Sequence, residues 1–208
     1  MTPLEHFETV WARCAQLSTL HAYLAKNVSG VLDTDELLRA EWVARLSAFD
    51  LYVHELVAQL MLETFEGRRP ASPANLRFSV SSETLDRIRR AVTPSDATAA
   101  FDLEVRNQLS YLTFQDPDKV ADGVRLCSAG ELWNDVALKL GATAATKVAK
   151  AKSLKKDLSI IVQRRNRIAH EGDLKPSPLR EPSPISQSDL AFVAGFVEKL
   201  VRAIDAVV

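Results

Sequence analysis

Leu4, Phe7, Trp11, Cys14, Leu17, His21 and Leu24 recur at steps of three and four residues. That spacing puts side chains on one face of a helix and predicts a first helix over residues 4–26, ended by "NVSG". "DTDELLRAEWVARLSAFDLYVHELVAQLMLETFEG" predicts a long second helix, with acids in its first turn and Gly67 at its end. Its main stripe is Trp42, Leu46, Phe49, Val53, Leu56 and Leu60, in alternating fours and threes, a regularity suited to packing in a helical bundle. "RRPASPANLRF" reads as a connector and "SSETLDRIRRAV" as a shorter helix. "SDATAAFDLEVRNQLSYLTF" reads as a helix stopped by "QDPDK", and residues 117–140 as one or two short helices around Leu126, Leu132, Trp133 and Val136. A further helix is predicted over about 143–171. Residues 171–186 carry four prolines and cannot be helical, so they form a surface loop. "SQSDLAFVAGFVEKLVRAIDAVV" opens on a serine cap and buries Leu190, Val193, Val197, Leu200, Ile204 and Val207. No repeat period and no alternating strand pattern is visible. The pattern predicts an all-α helical bundle, one domain over 1–208.

Composition narrows the class. With 208 residues, 47% hydrophobic and 25% charged, the chain can bury one core and is not globally disordered. Cys14 and Cys127 are too few and too far apart for a disulfide framework or a CxxC metal site, and read as reduced, buried thiols of a cytoplasmic protein. The start shows no apolar signal region, and no run is long and apolar enough to span a membrane. No metal or other cofactor is expected, since no cluster has metal-ligand spacing.

The net charge of −1 excludes a uniformly basic molecule, yet residues 147–167 hold eight basic side chains against one acid, Asp157. Such a run is either a solvated helix face or a phosphate-facing patch. Within it the apolar beat Leu154, Leu158, Ile161 lands on Arg165 before resuming at Ile168. A guanidinium on a buried stripe is costly unless paired, so a partner is expected. Asp50, at the margin of the second helix's apolar face, is the natural one. The bland account of that pair is an ion pair that fixes helix register. Asn166 and His170 stand at i and i+4, on one face and within reach of each other. His170 falls in the last helical turn, where the helix's negative end meets it. Arg-Asn-x-x-x-His is also a sparse pattern. With two Arg-Asn pairs and four histidines in the chain, a chance match is about a 4% event. Arg106-Asn107 has Tyr111 at the offset, whereas Arg165-Asn166 has His170. His54 reads as a flank residue, Tyr52 and Glu55 as surface or interface groups, and the three tryptophans as core.

"RRNRIAHEGD" resembles the signature of HEPN domains, specifically of the RiboL-PSP-HEPN group. "RAEWVARLSAFDLYVHELV" is similar to that group's long early helix, "SYLTFQDPDKVADGVRL" to its middle segment, and "LREPSPISQSDLAFVAGFVEKLVRAID" to its closing loop and helix. The resemblance covers roughly residues 35 to 205 and implies a HEPN-type bundle of long antiparallel helices. It also implies a homodimer whose two motifs share one cleft. Many members are metal-independent endoribonucleases of toxin–antitoxin or antiviral systems, whereas others have lost catalysis and bind RNA or a partner protein. Some HEPN toxins carry, two residues after the histidine, a tyrosine that a partner nucleotidyltransferase modifies. Here that position is Gly172.

The residue types suit RNA cleavage by the 2′-hydroxyl. His170 fits acid–base work, Arg165 stabilisation of the charge on phosphorus, Asn166 orientation of the histidine or phosphate, and Asp50 support of Arg165. Arg164, Arg167, Lys155 and Lys156 are the candidate RNA-binding side chains, and an antitoxin or defence-system protein is a candidate partner. The competing functions are a catalytically silent HEPN module that binds RNA or protein, and a structural oligomeriser in which Arg165 is only an ion-pair partner.

Overall fold

The computed structural model describes residues 1–28 and 32–208. Among these, eight α-helices form the chain and no strand extends beyond an isolated Leu174–Pro182 bridge. They are α1 (Pro3–Asn27), α2 (Asp35–Phe65), α3 (Ser82–Arg89), α4 (Pro94–Leu109), α5 (Pro117–Arg125), α6 (Leu132–Lys139), α7 (Lys147–Glu171) and α8 (Gln187–Asp205). The all-α bundle is therefore as predicted. No described helix is long and apolar enough to cross a membrane.

Local chemistry accounts for most boundaries. Thr2, Thr93 and Ser186 each cap a helix, with Glu5, Asp96 and Asp189 reaching back to the cap in reciprocal capping boxes. α1 ends on Asn27 with Val28 as its cap, while Ser29 and Gly30 of the expected stop lie outside the described residues. The segment predicted as one or two helices is two, α5 and α6. α4 is shorter than expected. It ends at Leu109 because the chain turns away there, leaving Tyr111 and Leu112 exposed and burying Phe114.

α2 is the axis of the bundle. Its predicted stripe from Trp42 to Leu60 is buried throughout, but so are Leu38, Ala48, Tyr52, Val57, Ala58 and Met61 on other faces. α1, α4, α5, α7 and α8 all pack against it. A helix covered on every side needs no single polar face, which is why Tyr52, expected at the surface or an interface, is instead fully buried. Its hydroxyl donates to Asp205 at the end of α8 at 3.2 Å. Glu55 does lie near the surface, where its carboxylate accepts from Nη1 and Nη2 of Arg106. α1 and α2 run antiparallel, as the paired positions Phe7–Tyr52, Trp11–Arg45 and Ser18–Glu41 show. Between them a buried Glu41 accepts from Arg45 Nε at 2.7 Å, and the Arg45 guanidinium lies 4.4 Å from the centre of the Trp11 ring. Trp42 and Trp133 are buried, Trp11 is half-buried, and both cysteines are free and buried.

The proline-rich stretch is a loop, and a buried carboxylate pins it. Gly172 takes a left-handed conformation (φ 65°) and Asp173 follows in the same region (φ 53°), so that both N–H groups return to the carbonyl of Arg167 and close α7. This sends Asp173 inward, where it is wholly buried. One carboxylate oxygen lies 3.4 Å from Arg39 Nε of α2 and 3.1 Å from Arg164 Nη2 of α7. The two arginines also grip the far end of the loop, Arg39 donating to the Ser183 carbonyl at 2.8 Å and Arg164 to that of Pro184 at 2.7 Å. The Ser183 N–H closes the neck on the Asp173 carbonyl at 2.7 Å.

Two predictions follow from this burial. Replacing Asp173 by Ala removes the anion shared by the buried Arg39, which keeps only the exposed Glu36, and the half-buried Arg164, and should cost about 3 kcal/mol in denaturant unfolding. Asp173→Asn, which tolerates the left-handed backbone and can still accept a hydrogen bond, should recover part of that loss. The second concerns alkaline pH. Burial pushes the Cys127 thiol up to about 12 despite nearby Arg69, and burial with the Asp205 carboxylate also raises Tyr52. Both groups hold their protons more tightly folded than unfolded, so their stabilisation is complete below about pH 9 and declines as pH rises above it. Unfolding measured from pH 8 to 11 should show this decline, and Tyr52→Phe should flatten the part above pH 10.

Candidate functional site

α7 leaves the core as it approaches its C-terminus. Leu154, Leu158, Ile161 and Val162 are buried, whereas Arg165 and Ile168 are half-buried and Asn166, Arg167 and His170 are exposed. The expected burial of Arg165 is therefore only partial. The reason is an open cavity of about 670 Å³ between α7, α2 and the segment that links α4 to α5. Asp50, Thr113, Gln115, Asp116, Arg165, Asn166 and His170 all line it. The structure thus brings the three motif residues and Asp50 to one place.

Their pairing differs from the expectation. Among the described residues, no ion pair joins Asp50 to Arg165 and no hydrogen bond joins Asn166 to His170. Asp50 instead accepts the backbone N–H of Phe114 at 2.5 Å, with the Thr113 hydroxyl at 3.4 Å and His54 Nε2 at 3.9 Å. A carboxylate already satisfied by a backbone donor has less need of a cation. Phe114 is held in turn by His54, whose ring meets it edge-on at 4.6 Å, and by α5. A Cβ on Gly123 would lie 2.6 Å from the Phe114 ring, so glycine makes room for that ring where the Phe114 backbone N–H meets Asp50. Arg165 donates through Nη1 to Asn166 Oδ1 at 3.1 Å, while its Nε is enclosed without a partner. The guanidinium therefore faces the cavity with no carboxylate among the described residues within ion-pair distance. That arrangement can bind and stabilise an anion brought in from solution.

The four candidate RNA contacts divide. Arg167 and Lys156 are exposed, with no ion-pair partner among the described residues. Lys155 is bridged to Asp118 of α5 at 2.6 Å. Arg164 has a different task, because its guanidinium is committed to Asp173 and the Pro184 carbonyl and lies 5.0 Å from the centre of the Trp42 ring. So engaged, it ties the helix end to the loop. Sequence reasoning missed Asp173 and Arg39. Arg39 did carry a signal, since it continues the Trp42–Leu46 stripe by the same step that made Arg165 conspicuous. No group of three or more His, Cys, Asp or Glu side chains converges among the described residues.

Neither the curated proteins nor the solved structures include a significant relative. The family model described as RiboL-PSP-HEPN matches residues 12–208, nearly the whole chain, and spans α2, the segment bearing Asp50's backbone partner, α7 with its Arg-Asn-x-x-x-His motif, the pinned loop and α8. A helical bundle with this motif at the open end of its cavity, matched over that length, belongs to the RiboL-PSP-HEPN family.

Proposed function

We propose that this protein is a metal-independent endoribonuclease and the effector of a bacterial antiviral or toxin–antitoxin system. The observation that carries the catalytic part is the convergence of Arg165, Asn166 and His170 on one cavity, with the guanidinium paired to no carboxylate among the described residues. Family membership supports RNA cleavage or RNA binding as the class of function.

RNA supplies its own nucleophile. The 2′-hydroxyl attacks the adjacent phosphorus, a base takes its proton, the P–O5′ bond breaks, and an acid protonates the leaving O5′. The products end in 2′,3′-cyclic phosphate and 5′-hydroxyl. His170 transfers a proton, the task for which histidine is the side chain most often used. Arg165 donates to the non-bridging oxygens, where charge accumulates. Asn166 holds the guanidinium through its carbonyl oxygen and leaves its amide N–H groups for the phosphate. Asp50, fixed to the Phe114 N–H, forms the opposite wall and supports Arg165 through space. Arg167 and Lys156 contact the RNA backbone. One copy supplies a single His170 for two proton movements. A homodimer with two motifs along one cleft supplies two, and HEPN domains often dimerise.

The second reading is a module that binds RNA or a partner protein without cutting. It is favoured by the imidazole itself, because no hydrogen bond orients the His170 ring among the described residues, and catalytic histidines are ordinarily held by one.

Incubation of the purified protein with total RNA in EDTA separates the two. Under the ribonuclease reading, wild type leaves cyclic-phosphate ends, and His170→Ala and Arg165→Ala each lower the rate by about 10²–10⁴-fold while remaining folded. Products bearing 3′-hydroxyl ends, or a requirement for added metal, would sink the mechanism. Salt-dependent RNA affinity without cleavage would favour the binding module.

A further inference from the structure

A second concavity begins where the first ends. His170 lines both the motif cavity and a groove between the last turn of α7 and the proline-rich loop, whose walls include Arg167, Leu174, Lys175 and Arg180. The loop wall is fixed. Its neck is tied by the Asp173 and Ser183 contacts, and its two arms are paired by the Leu174–Pro182 bridge and the Lys175 N–H to Glu181 carbonyl bond at 2.8 Å. Pro176 and Pro178 restrict the backbone of the tip. The tip then turns through Ser177–Arg180, where Arg180 adopts φ 46°, a left-handed conformation unusual for a bulky residue. Such a conformation costs energy and places an exposed guanidinium on the groove.

The charge of the groove points to an anion. Arg167 on the helix side and Arg180 on the loop side have no ion-pair partner among the described residues, and Lys175 has only a long contact of 3.5 Å to Glu181. Glu171 is the acid in the lining. A strand whose scissile phosphate sits against Arg165 and His170 continues past His170 into this groove. We infer that the groove binds the RNA backbone phosphates next to the scissile one, gripped between Arg167 and Arg180 with Lys175 at the rim. This inference rests on the reading of the motif cavity as an RNA site. It adds that the loop is a wall of the substrate channel.

The test is equilibrium binding of an uncleavable 2′-O-methyl oligoribonucleotide to the full chain at several salt concentrations. Arg180→Gly is the suitable variant, since glycine accepts the backbone angle without cost, and it is combined with Lys175→Ala. Loss of two phosphate contacts should weaken binding by roughly 10- to 30-fold at 0.1 M salt and lower the salt slope by roughly 0.7 for each contact. Arg180→Lys, which keeps the charge, should retain most of the slope. Both groups are exposed and glycine suits the backbone angle, so a thermal midpoint no lower than that of wild type is expected, and it assigns the loss to the groove. If wild type binds RNA and the double variant matches it in affinity and slope, the groove is overturned while the cavity reading stands. If wild type neither binds nor cleaves RNA, both are overturned. A double variant that binds weakly but keeps the full salt slope would also overturn the phosphate assignment.

Discussion

The carboxylate of Asp173 decides more of this structure than any other single group. It is buried, it lies just past the end of α7, and it is flanked by guanidiniums from α2 and α7. A buried anion with two cations is tolerable only if each partner is held in place by further hydrogen bonds, and here those bonds go to the loop's far end at Ser183 and Pro184. One constraint therefore fixes the end of the motif helix, the path of the loop and the approach of both to α2. One carboxylate oxygen and the Nε atoms of Arg39 and Arg164 nevertheless lack hydrogen-bond partners, so the arrangement is bound more by charge and enclosure than by complete satisfaction of its polar atoms.

The polar motif is positioned by apolar packing elsewhere. Leu154, Leu158 and Ile161 seat α7 in the core, and Trp42 Nε1 donates to the Ile161 carbonyl at 3.1 Å, fixing the helix one turn before Arg165. On the opposite wall Asp50 rides on α2, the most enclosed helix, and Phe114 is wedged against Gly123. The two sides of the cavity are therefore rigid, while its mouth carries the exposed groups Asn166 and His170. A stiff frame with a solvated polar mouth suits a ligand that arrives as an extended anion.

What could be read from the sequence follows the range of the interactions involved. The helices of the bundle and the Arg165-Asn166-His170 constellation depend on spacing within one helix, so periodicity exposed them. Asp50 was conspicuous as a carboxylate on an apolar margin, but its partner is a backbone N–H 64 residues away, which no side-chain pattern records. Tyr52 was misplaced for a related reason. A stripe analysis assumes one buried face, and α2 is covered on several. The shortened α4 has the same origin, because the N–H of Phe114 serves Asp50 and the chain must turn to deliver it. Asp173 sits in a stretch whose composition announces a loop, and loops are ordinarily solvated. Its burial follows from two arginines on different helices.

The left-handed turn at Gly172 bears on how such a protein can be controlled. The residue two positions after the motif histidine is the one that, in some members of the wider HEPN group, is a tyrosine open to modification. Here its backbone angle is one that glycine adopts without cost, and the next N–H closes the helix and sends Asp173 inward. A tyrosine installed there would meet a backbone penalty of about 1–2 kcal/mol and would put at risk the turn that buries the carboxylate. Two positions after the motif histidine this chain therefore uses its residue for the backbone turn that ends the helix, and offers no side chain there.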